Sequence, residues 1–570
     1  MRDSVVGMSG LKRLVALFER FASNYGWRLA ESALKNKNVQ RIRVTKGACV
    51  AAMALSGAAG IMSGGAAAQI EQSRIDNNAF ALGTLTPATG ALSRELWQGA
   101  DRNAVEDLLI GVPSTYGDQL PLELLRRVTL SPGDGPRGAD NALAGRKFLT
   151  AAKAGFYQDA ASLAELVPSL RTEPTLSQVV AYADLMNGQT DTACARGAGL
   201  RDGRTDAFWV KLRFICYVRT GETSAADLTL GLLDRQDALT SRERAHFTQF
   251  AAGRTPTIDV AQSVFDWVML RERGVTMTPE LVNAVPLGIA ASVARDTGQP
   301  VAAREAALVR AISARAIGPS EARSLLDAMP TAGLSEAPLS ATIQTPGSLE
   351  QYEARATALD SVATDWDGFR ARSFLLLPQI NSAEPVSGYA PRADIVAMAG
   401  MVTGQSNIVE KWLLALAQDA SDPTSSARTG DLLNLYTALD PGSARRIGSY
   451  LGVTLTDDSV AAFTPAATGS GGDTVPLARF VRAGLHAAEA GSEGPASLVF
   501  LMGLQGSDDD PSGVRGEISR WARDRADLEW LDRQAAFRSG AQAYLSGAGL
   551  GAAGRIVDGR PVPRVKPAGN

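Results

Sequence analysis

The hydrophobic positions of residues 142–235 fall into short amphipathic runs, and a glycine separates the two runs of each pair. Gly155, Gly188 and Gly221 follow one another at intervals of 33 residues. Each glycine comes after an apolar run with helical spacing and before a run that opens with polar residues, an arrangement typical of a glycine between two antiparallel helices. The pattern predicts an all-α chain, a right-handed solenoid of irregular TPR-like hairpins without a substantial sheet.

The same local pattern returns later in the chain at less regular spacing. Gly298 and Gly404 each follow a threonine and precede a glutamine, much as Gly221 lies between a threonine and a glutamate. We therefore expect these two glycines at turns of the same kind. Because the interval between them is no longer constant, the stack of hairpins is expected to be irregular.

Loop-rich stretches divide the chain into predicted segments. Residues 131–141, 330–347 and 464–474 are rich in Pro, Gly, Ser and Thr, the composition of loops and linkers. Before the first loop, we expect a helical signal at residues 92–99 and a helix that begins at Pro121. The predicted segments are a leader at 1–68, an extended segment and helical cap at 69–135, TPR-like repeats at 136–330, a second helical-repeat region at 345–463, a C-terminal helical region at 475–558 and a disordered tail at 559–570.

The composition is that of a globular protein, and its charge is unevenly distributed. Of the 570 residues, 45% are hydrophobic and 21% charged, so the chain is not of the disordered class. The net charge is −3, but residues 1–46 carry ten Lys or Arg and three Asp or Glu, so the rest of the chain is acidic. An acidic body argues against nucleic acid as a partner, since binding to phosphates needs a basic face.

The leader has the features of an export signal. Residues 47–68 contain no charged side chain, Arg41, Arg43 and Lys46 come just before them, and they end in three alanines. Basic, apolar and small-residue regions in this order are typical of a secretory signal peptide, with cleavage near Ala68 and a periplasmic product. The alternative is an uncleaved membrane anchor. The long basic region before it has two interpretations: residues 11–33 form an amphipathic membrane-surface helix, or translation starts later, near Val39.

Export gives the cysteines a predicted role. Cys49 leaves with the leader, and Cys194 and Cys216 remain on helices that are consecutive in the predicted stack. An oxidising compartment allows them to form a disulfide. The bond would close a loop of about 22 residues and stabilise the fold by roughly 3 kcal/mol in the chain-entropy model. Two separate buried thiols are the alternative.

No motif in the sequence supports catalysis or metal binding. Gly549, Gly551 and Gly554 match GxGxxG, but too few residues follow for a dinucleotide-binding unit. Asp508, Asp510, Ser512 and Gly513 resemble the start of a calcium loop, but Ser519 stands where a bidentate Glu is needed. His246 and His486 are the only histidines, and HExxH, GxSxG and P-loop motifs are absent from the sequence. We therefore expect no enzyme activity, no metal and no cofactor.

Several residues of the predicted hairpins resemble those of a known group of proteins. Arg146, Gly155, the dipeptide at 193–194, residues 208–213, Cys216 and Gly221 resemble a group of exported, Ala- and Arg-rich helical-repeat proteins of alphaproteobacteria. Some members of that group are associated with the flagellar motor. The resemblance implies a structural role in the envelope and carries over no catalytic residue.

These observations together predict a periplasmic scaffold or adaptor that binds other envelope proteins, since helical-repeat arrays bind through their concave surface. Flagellar motor or stator components are the most specific partners expected, and assembly into a homo-oligomer or ring is an option. The membrane would be contacted only through an uncleaved leader. Two alternatives stay open, a peptidoglycan-associated enzyme of the lytic transglycosylase superhelix type and an envelope ligand-binding sensor. Against the enzyme, the C-terminal half of this chain lacks the Glu-Ser pair that such enzymes carry.

Overall fold

A computed structural model describes residues 79–329, 349–380, 392–418, 424–453, 455, 475–504, 513–547, 556–557 and 560–561. These residues all belong to one compact unit, which spans residues 77–570. The leader, both long predicted linkers, the aspartate-rich loop and the GxGxxG stretch lie outside the described residues, so the interpretations given for them stay predictions. Within the described ranges, no helix combines the length and the apolar character needed to cross a bilayer.

The first half of the described chain is helical, as the pattern predicts. Two 3-10 turns (Ala79–Ala81, Pro87–Thr89) and one π turn (Ala152–Phe156) accompany its helices. The helices are α1 Arg102–Gly111, α2 Gln119–Leu130, α3 Asn141–Ala151, α4 Tyr157–Glu165, α5 Pro174–Met186, α6 Thr190–Gly199, α7 Ala207–Thr220, α8 Thr223–Arg235, α9 Ser241–Ala251, α10 Val264–Glu272, α11 Pro279–Ala284, α12 Leu287–Arg295, α13 Val301–Ser313 and α14 Pro319–Asp327.

The second half continues in the same way and ends in a short β-ladder. Ile556–Val557 (β1) pairs antiparallel with Arg560–Pro561 (β2). The helices are α15 Leu349–Asp360, α16 Trp366–Ile380, α17 Ala393–Thr403, α18 Ser406–Ala417, α19 Ser425–Thr437, α20 Pro441–Tyr450, α21 Leu477–Ala490, α22 Glu493–Gly503, α23 Val514–Arg525 and α24 Glu529–Leu545.

Local chemistry sets most helix ends, and it corrects two expectations near the N-terminus. The Asp118 side chain accepts a hydrogen bond from the Leu120 amide, so α2 begins at Gln119 and Pro121 is its third residue rather than its first. Residues 94–99 form turns instead of the expected helix, and Gly99 there has a φ of 82°. A single turn without a long apolar stripe does not hold a helix by itself.

One helix that the periodicity does not predict is α10. Every residue from Val264 to Leu270 is buried, including Asp266. A helix that is buried on all sides has no polar face, so its sequence lacks the alternation that marks an amphipathic helix. Its start is nevertheless encoded locally, because Ser263 and Asp266 form a capping box.

Helix α2 lies at the centre of the fold. All of its residues from Leu120 to Leu130 are buried except Arg127. The helix packs against α3, which follows it in the chain, and against α22 and α24 near the C-terminus. The predicted N-terminal cap therefore does not lie at a free end of the array.

Direct contacts join the two ends of the described chain. The Gly494 amide donates to the Leu96 carbonyl at 2.8 Å, and Arg538 pairs with Asp118 at 3.0 Å. Helix α1 also packs against α21 and α22. Helices of all four predicted helical segments are in contact within one unit, since α2 of the cap packs on α3 and α13 packs on α16.

Lys147 is buried on α3, and no carboxylate among the described residues pairs with it. Its side chain is inaccessible to solvent, and its Nζ donates to the carbonyls of Phe80, Leu82 and Ser131 at 2.8, 3.0 and 3.3 Å. Burial lowers the pKa of Lys147 to about 7. The ammonium group thus ties the N-terminal 3-10 turn to the first hairpin through backbone carbonyls.

We predict that Gly494→Ala destabilises the closure of the two chain ends. A Cβ at this position would lie 2.8 Å from the Trp97 ring and 2.9 Å from the Leu96 carbonyl oxygen, so the contact has to open. The free energy of unfolding should fall by about 2 kcal/mol, measured by urea denaturation. Gly516→Ala in α23 is the matched control, because no atom lies within 4 Å of its added Cβ. Equal effects of the two substitutions would contradict the prediction.

We predict that Lys147 makes stability depend on pH. The folded-state pKa of about 7 lies below that of an unfolded lysine, so the unfolded chain binds more protons between these two values. The unfolding free energy of the wild type should therefore rise relative to that of Lys147→Met above pH 7, by at most about 1.4 kcal/mol per pH unit. Denaturation of both proteins from pH 6 to pH 10 measures this difference, and parallel profiles would rule it out.

Candidate functional site

The five predicted turn glycines all lie between helices, but only four have the left-handed conformation. Gly155, Gly188, Gly221 and Gly404 have φ values of 112°, 81°, 76° and 73°. Gly298 is not among the residues with positive φ; its amide donates to the Asp296 side chain at 2.9 Å, which holds the turn instead. At Gly155, a Cβ would also lie 2.8 Å from Leu287, so this glycine is needed for close packing on α12.

The structure brings Cys194 on α6 and Cys216 on α7 to disulfide-bonding distance, with their Cα atoms 5.9 Å apart. Both cysteines are half-buried and pack against the hydrophobic core. The bond joins two consecutive helices, as the sequence predicts, and lies outside the cavities described below.

A cleft forms where distant parts of the chain come together, and we refer to it as the central cleft. It consists of two adjoining cavities of about 660 and 650 Å³ that share Ser114, Thr115 and Gln262. Cavities of this size are in the range of ligand-binding sites. Its wall combines residues 109–117, 122, 146–153, 240–246, 262–266, 283–287, 306–310, 365, 367 and 475–479.

The smaller of the two cavities forms a basic end. Four cations line it, namely Arg146, Lys153, Arg242 and Arg479, together with the carboxylates of Glu243 and Asp266. Both carboxylates already have partners: Lys211 contacts Glu243 at 2.7 Å, and His246 Nδ1 lies 3.1 Å from Asp266 Oδ1. This part of the cleft is thus positive within an acidic protein.

Lys153 is one of the cations at this end of the cleft. It projects from the π turn between α3 and α4 and is exposed in the cleft. Desolvation of the Lys153 ammonium group and the nearby positive charges of Arg146 and Lys211 lower the pKa of Lys153. No carboxylate of the described chain lies within ion-pair distance of its Nζ. An acidic group entering the cleft would relieve this repulsion.

The neighbouring Glu243 does not have the properties of a general acid. Burial acts to raise its pKa, but hydrogen bonds from Lys211 and from Thr240 outweigh this effect and lower the pKa of Glu243. The carboxylate stays ionised and serves to cap α9, where it contacts the Thr240 amide at 3.0 Å.

His246 and Asp266 form a buried pair on the wall of the basic end. Asp266 Oδ2 accepts the amides of Gln262 and Ser263 at 3.1 and 3.2 Å, which fixes the carboxylate beside the histidine. In the part of the chain that the structure describes, no Ser, Thr or Cys side chain is hydrogen-bonded to His246. Within the described residues, the pair therefore lacks the nucleophile of a hydrolytic triad. The sequence motifs did not predict that His246 and Asp266 would pair.

The opposite end of the cleft contains two carboxylates and one arginine. Asp365 and Asp367 stand at the start of α16, and Arg310 of α13 faces the same cavity. Burial raises the pKa of Asp367 despite the nearby Arg538 and a hydrogen bond from Gln119. Arg310 donates to the carbonyls of Val282 and Val285 at 2.7 and 2.5 Å, so it is held in place across the break between α11 and α12.

Metal and cofactor sites were not predicted from the sequence, and the geometry adds no candidate. Among the described residues, no group of three or more His, Cys, Asp or Glu side chains is arranged to hold a metal ion. The cleft provides charged side chains, hydrogen-bond donors and a concave surface, and these features are suited to binding.

No protein family model, no curated protein and no solved structure matches this chain. Any function assigned to it therefore has to be argued from its own residues.

We predict that the Cys194–Cys216 bond contributes measurably to stability. Cys194→Ser with Cys216→Ser should lower the free energy of unfolding by about 3 kcal/mol, because the bond restricts the unfolded chain over 22 residues of sequence. Urea denaturation with and without a reductant provides the measurement. Reduction should bring the wild type to the stability of the variant, and a wild type indifferent to reductant would contradict the prediction.

Proposed function

We propose that this protein is an exported scaffold or adaptor of the bacterial envelope that holds an acidic segment of another protein in the central cleft. In this proposal the helices form a curved, right-handed stack of hairpins whose two ends meet, and the cleft is its concave interior. The signal-like leader supports a periplasmic location. The resemblance to envelope helical-repeat proteins supports a structural role, with the flagellar motor as its most specific setting.

The observation that carries the proposal is the contrast in charge between the cleft and the rest of the protein. The chain outside its first 46 residues is acidic, yet Arg146, Lys153, Arg242 and Arg479 line one end of the cleft. A positive surface confined to one cleft of an acidic protein attracts negatively charged groups to that cleft. The rest of the surface repels such groups, so binding is restricted to the cleft. The elongated cleft of two adjoining cavities suits a peptide segment better than a single small molecule.

A hydrolytic enzyme acting on an envelope polymer is the second candidate. It is favoured by Asp365 and Asp367, since two nearby carboxylates, one with a raised pKa, can supply an acid and a base for glycoside hydrolysis. In that case Asp367 would be the acid. Digestion of purified murein by the wild type, lost in Asp367→Asn, would favour this candidate over the adaptor.

We predict that a partner crosslinks to the cleft. A photoreactive amino acid at Ile110, which is 49% exposed and lies on the cleft wall, should form a discrete adduct in intact cells. The same group at Tyr450, which is 76% exposed and is not on the wall of this cleft, should not. Mass spectrometry of the adduct identifies the partner.

Charge reversal provides the matched control for this experiment. Arg242→Glu on the basic end should reduce the Ile110 adduct about tenfold through repulsion of an acidic segment, whereas Arg235→Glu, on the equally exposed end of α8, should leave it unchanged. An adduct of the same intensity at both photoreactive positions, or one insensitive to Arg242→Glu, would contradict the adaptor proposal. Loss of swimming after deletion of the gene tests the flagellar version separately.

A further inference from the structure

A separate cavity of about 270 Å³ lies beside helix α2, where the two ends of the chain meet. We refer to it as the arginine cavity, because Arg127, Arg315, Arg370 and Arg538 line it. Its remaining wall comes from the 3-10 turn at Pro87–Thr89, the end of α17 and the aromatic residues of α16 and α24. None of these residues belongs to the wall of the central cleft.

Positive charge is in excess around this cavity. Four arginines (127, 315, 370 and 538) and the Glu123 carboxylate line the cavity. Arg126, Asp118 and Asp367 interact with these side chains from outside it, so the five arginines exceed the three carboxylates by two. Burial acts to raise the pKa of Glu123, but Arg126 and Arg315 outweigh it, and this pKa lies well below its usual range. Glu123 is thus fully ionised and still does not balance the arginines.

The carboxylates are also unequally shared among the arginines. Arg126 and Arg127 form ion pairs with Glu123 at 2.9 and 2.8 Å, and Arg538 forms one with Asp118 at 3.0 Å. Arg315 reaches Glu123 only at 3.9 Å. Arg370 forms no ion pair within the described residues, and it donates to the Gln119 side-chain oxygen at 3.0 Å. Burial, together with the charge of Arg315, lowers the pKa of Arg370 to about 10.

Three residues of this cavity each have a buried hydrogen-bond donor without an acceptor among the described residues. Arg315, Arg370 and Trp366 line the arginine cavity. In each of them one buried donor, Arg315 Nε, Arg370 Nε or the Trp366 indole Nε1, has no hydrogen-bond acceptor in the part of the chain that the structure describes. Leaving a buried donor unsatisfied costs about 1–3 kcal/mol. Water can accept hydrogen bonds from these groups but cannot balance the excess charge. An anion with two or more oxygen atoms does both.

The arginine cavity also has an aromatic and apolar wall. Trp366, Trp530 and Phe537 line the same cavity, with Met401 and Val402 on the α17 side. Arg127 stacks over the Trp530 ring at 4.0 Å, so this aromatic face is held in place. Aromatic walls around a cluster of donors suit a molecule that is apolar at one end and anionic at the other.

From these three observations we infer that the arginine cavity binds a small organic anion, in which a carboxylate or phosphate group is attached to an apolar or aromatic body. The volume is slightly below that of cavities for drug-sized molecules, at about 300 Å³ and above, so the ligand is of metabolite size. This site is independent of the adaptor function proposed for the central cleft.

The position of the cavity gives binding a structural consequence. Its wall joins residues 87–90, 120–127, 315, 366–370, 401–404 and 530–538, which are brought together only when the two ends of the chain meet. A bound anion therefore stabilises the closed arrangement through linkage. Ligand concentration would then set how firmly α24 is held against α2.

Calorimetry on the mature protein tests the inference with four probes. Benzoate and phenyl phosphate carry both the ring and the anion, inorganic phosphate carries only the anion, and benzyl alcohol carries only the ring. The two organic anions should bind at least about tenfold more tightly than either partial probe, since both parts contribute. The ratio of benzoate to phenyl phosphate affinity distinguishes a carboxylate ligand from a phosphate ligand. Tryptophan fluorescence should change on binding, because Trp366 and Trp530 line the cavity.

Two substitutions assign the binding to this cavity. Arg370→Gln should weaken binding of the organic anions about tenfold or more, because a charge-assisted hydrogen bond is lost. Arg446→Gln, at an arginine whose side chain is 64% exposed and pairs with Glu410, should leave it unchanged. If Arg370→Gln does not fold, Trp366→Phe keeps the ring but removes the indole donor, and should weaken binding several-fold. Equal affinity for phenyl phosphate and benzyl alcohol, indifference to both cavity substitutions, or no binding of either organic anion at millimolar concentration would overturn the inference.

Discussion

Helix α2 is buried on every side except that of Arg127, and a helix in such a place must satisfy its polar groups within the protein. It does so with partners from distant parts of the chain. Asp118 caps the first turn of the helix and also pairs with Arg538 of α24, while Gln119 contacts Asp367 and Arg370 of α16. The N-terminal segment, the middle of the chain and the C-terminal helices are therefore held by one helix, and their mutual arrangement depends on it.

Both cavities with functional potential are consequences of this arrangement. The central cleft takes its wall from parts of the chain that are far apart in sequence, and the arginine cavity forms directly beside α2. Their chemistry differs. The basic end of the cleft is open and its carboxylates are already paired, which suits a polymeric acidic partner, whereas the arginine cavity is smaller, aromatic and rich in unsatisfied donors. One closed arrangement thus provides two distinct places for negative groups.

Much of the helical structure follows from short stretches of sequence. The runs around Gly155, Gly188 and Gly221 become helix pairs because apolar spacing and a left-handed glycine act over a few residues. Cys194 and Cys216 meet because they lie on consecutive helices. The local pattern did not predict two features. Helix α10 is buried on all sides and so has no polar face. The turn at Gly298 is held by the Asp296 side chain and not by a left-handed glycine.

The helical class, the positions of the regular turns and the pairing of the two cysteines can be inferred from the sequence, since they depend on interactions between residues close along the chain. The central position of α2, the contact between the chain ends, and the placement of Lys153, His246 and Arg370 on cavity walls arise from tertiary packing. Their neighbours are separated from them by tens to hundreds of residues, and no spacing rule links such positions. Desolvation lowers the pKa values of Lys153 and Arg370 and leaves Arg370 Nε without an acceptor in the described part of the chain, because desolvation arises from the packed environment and not from residue type.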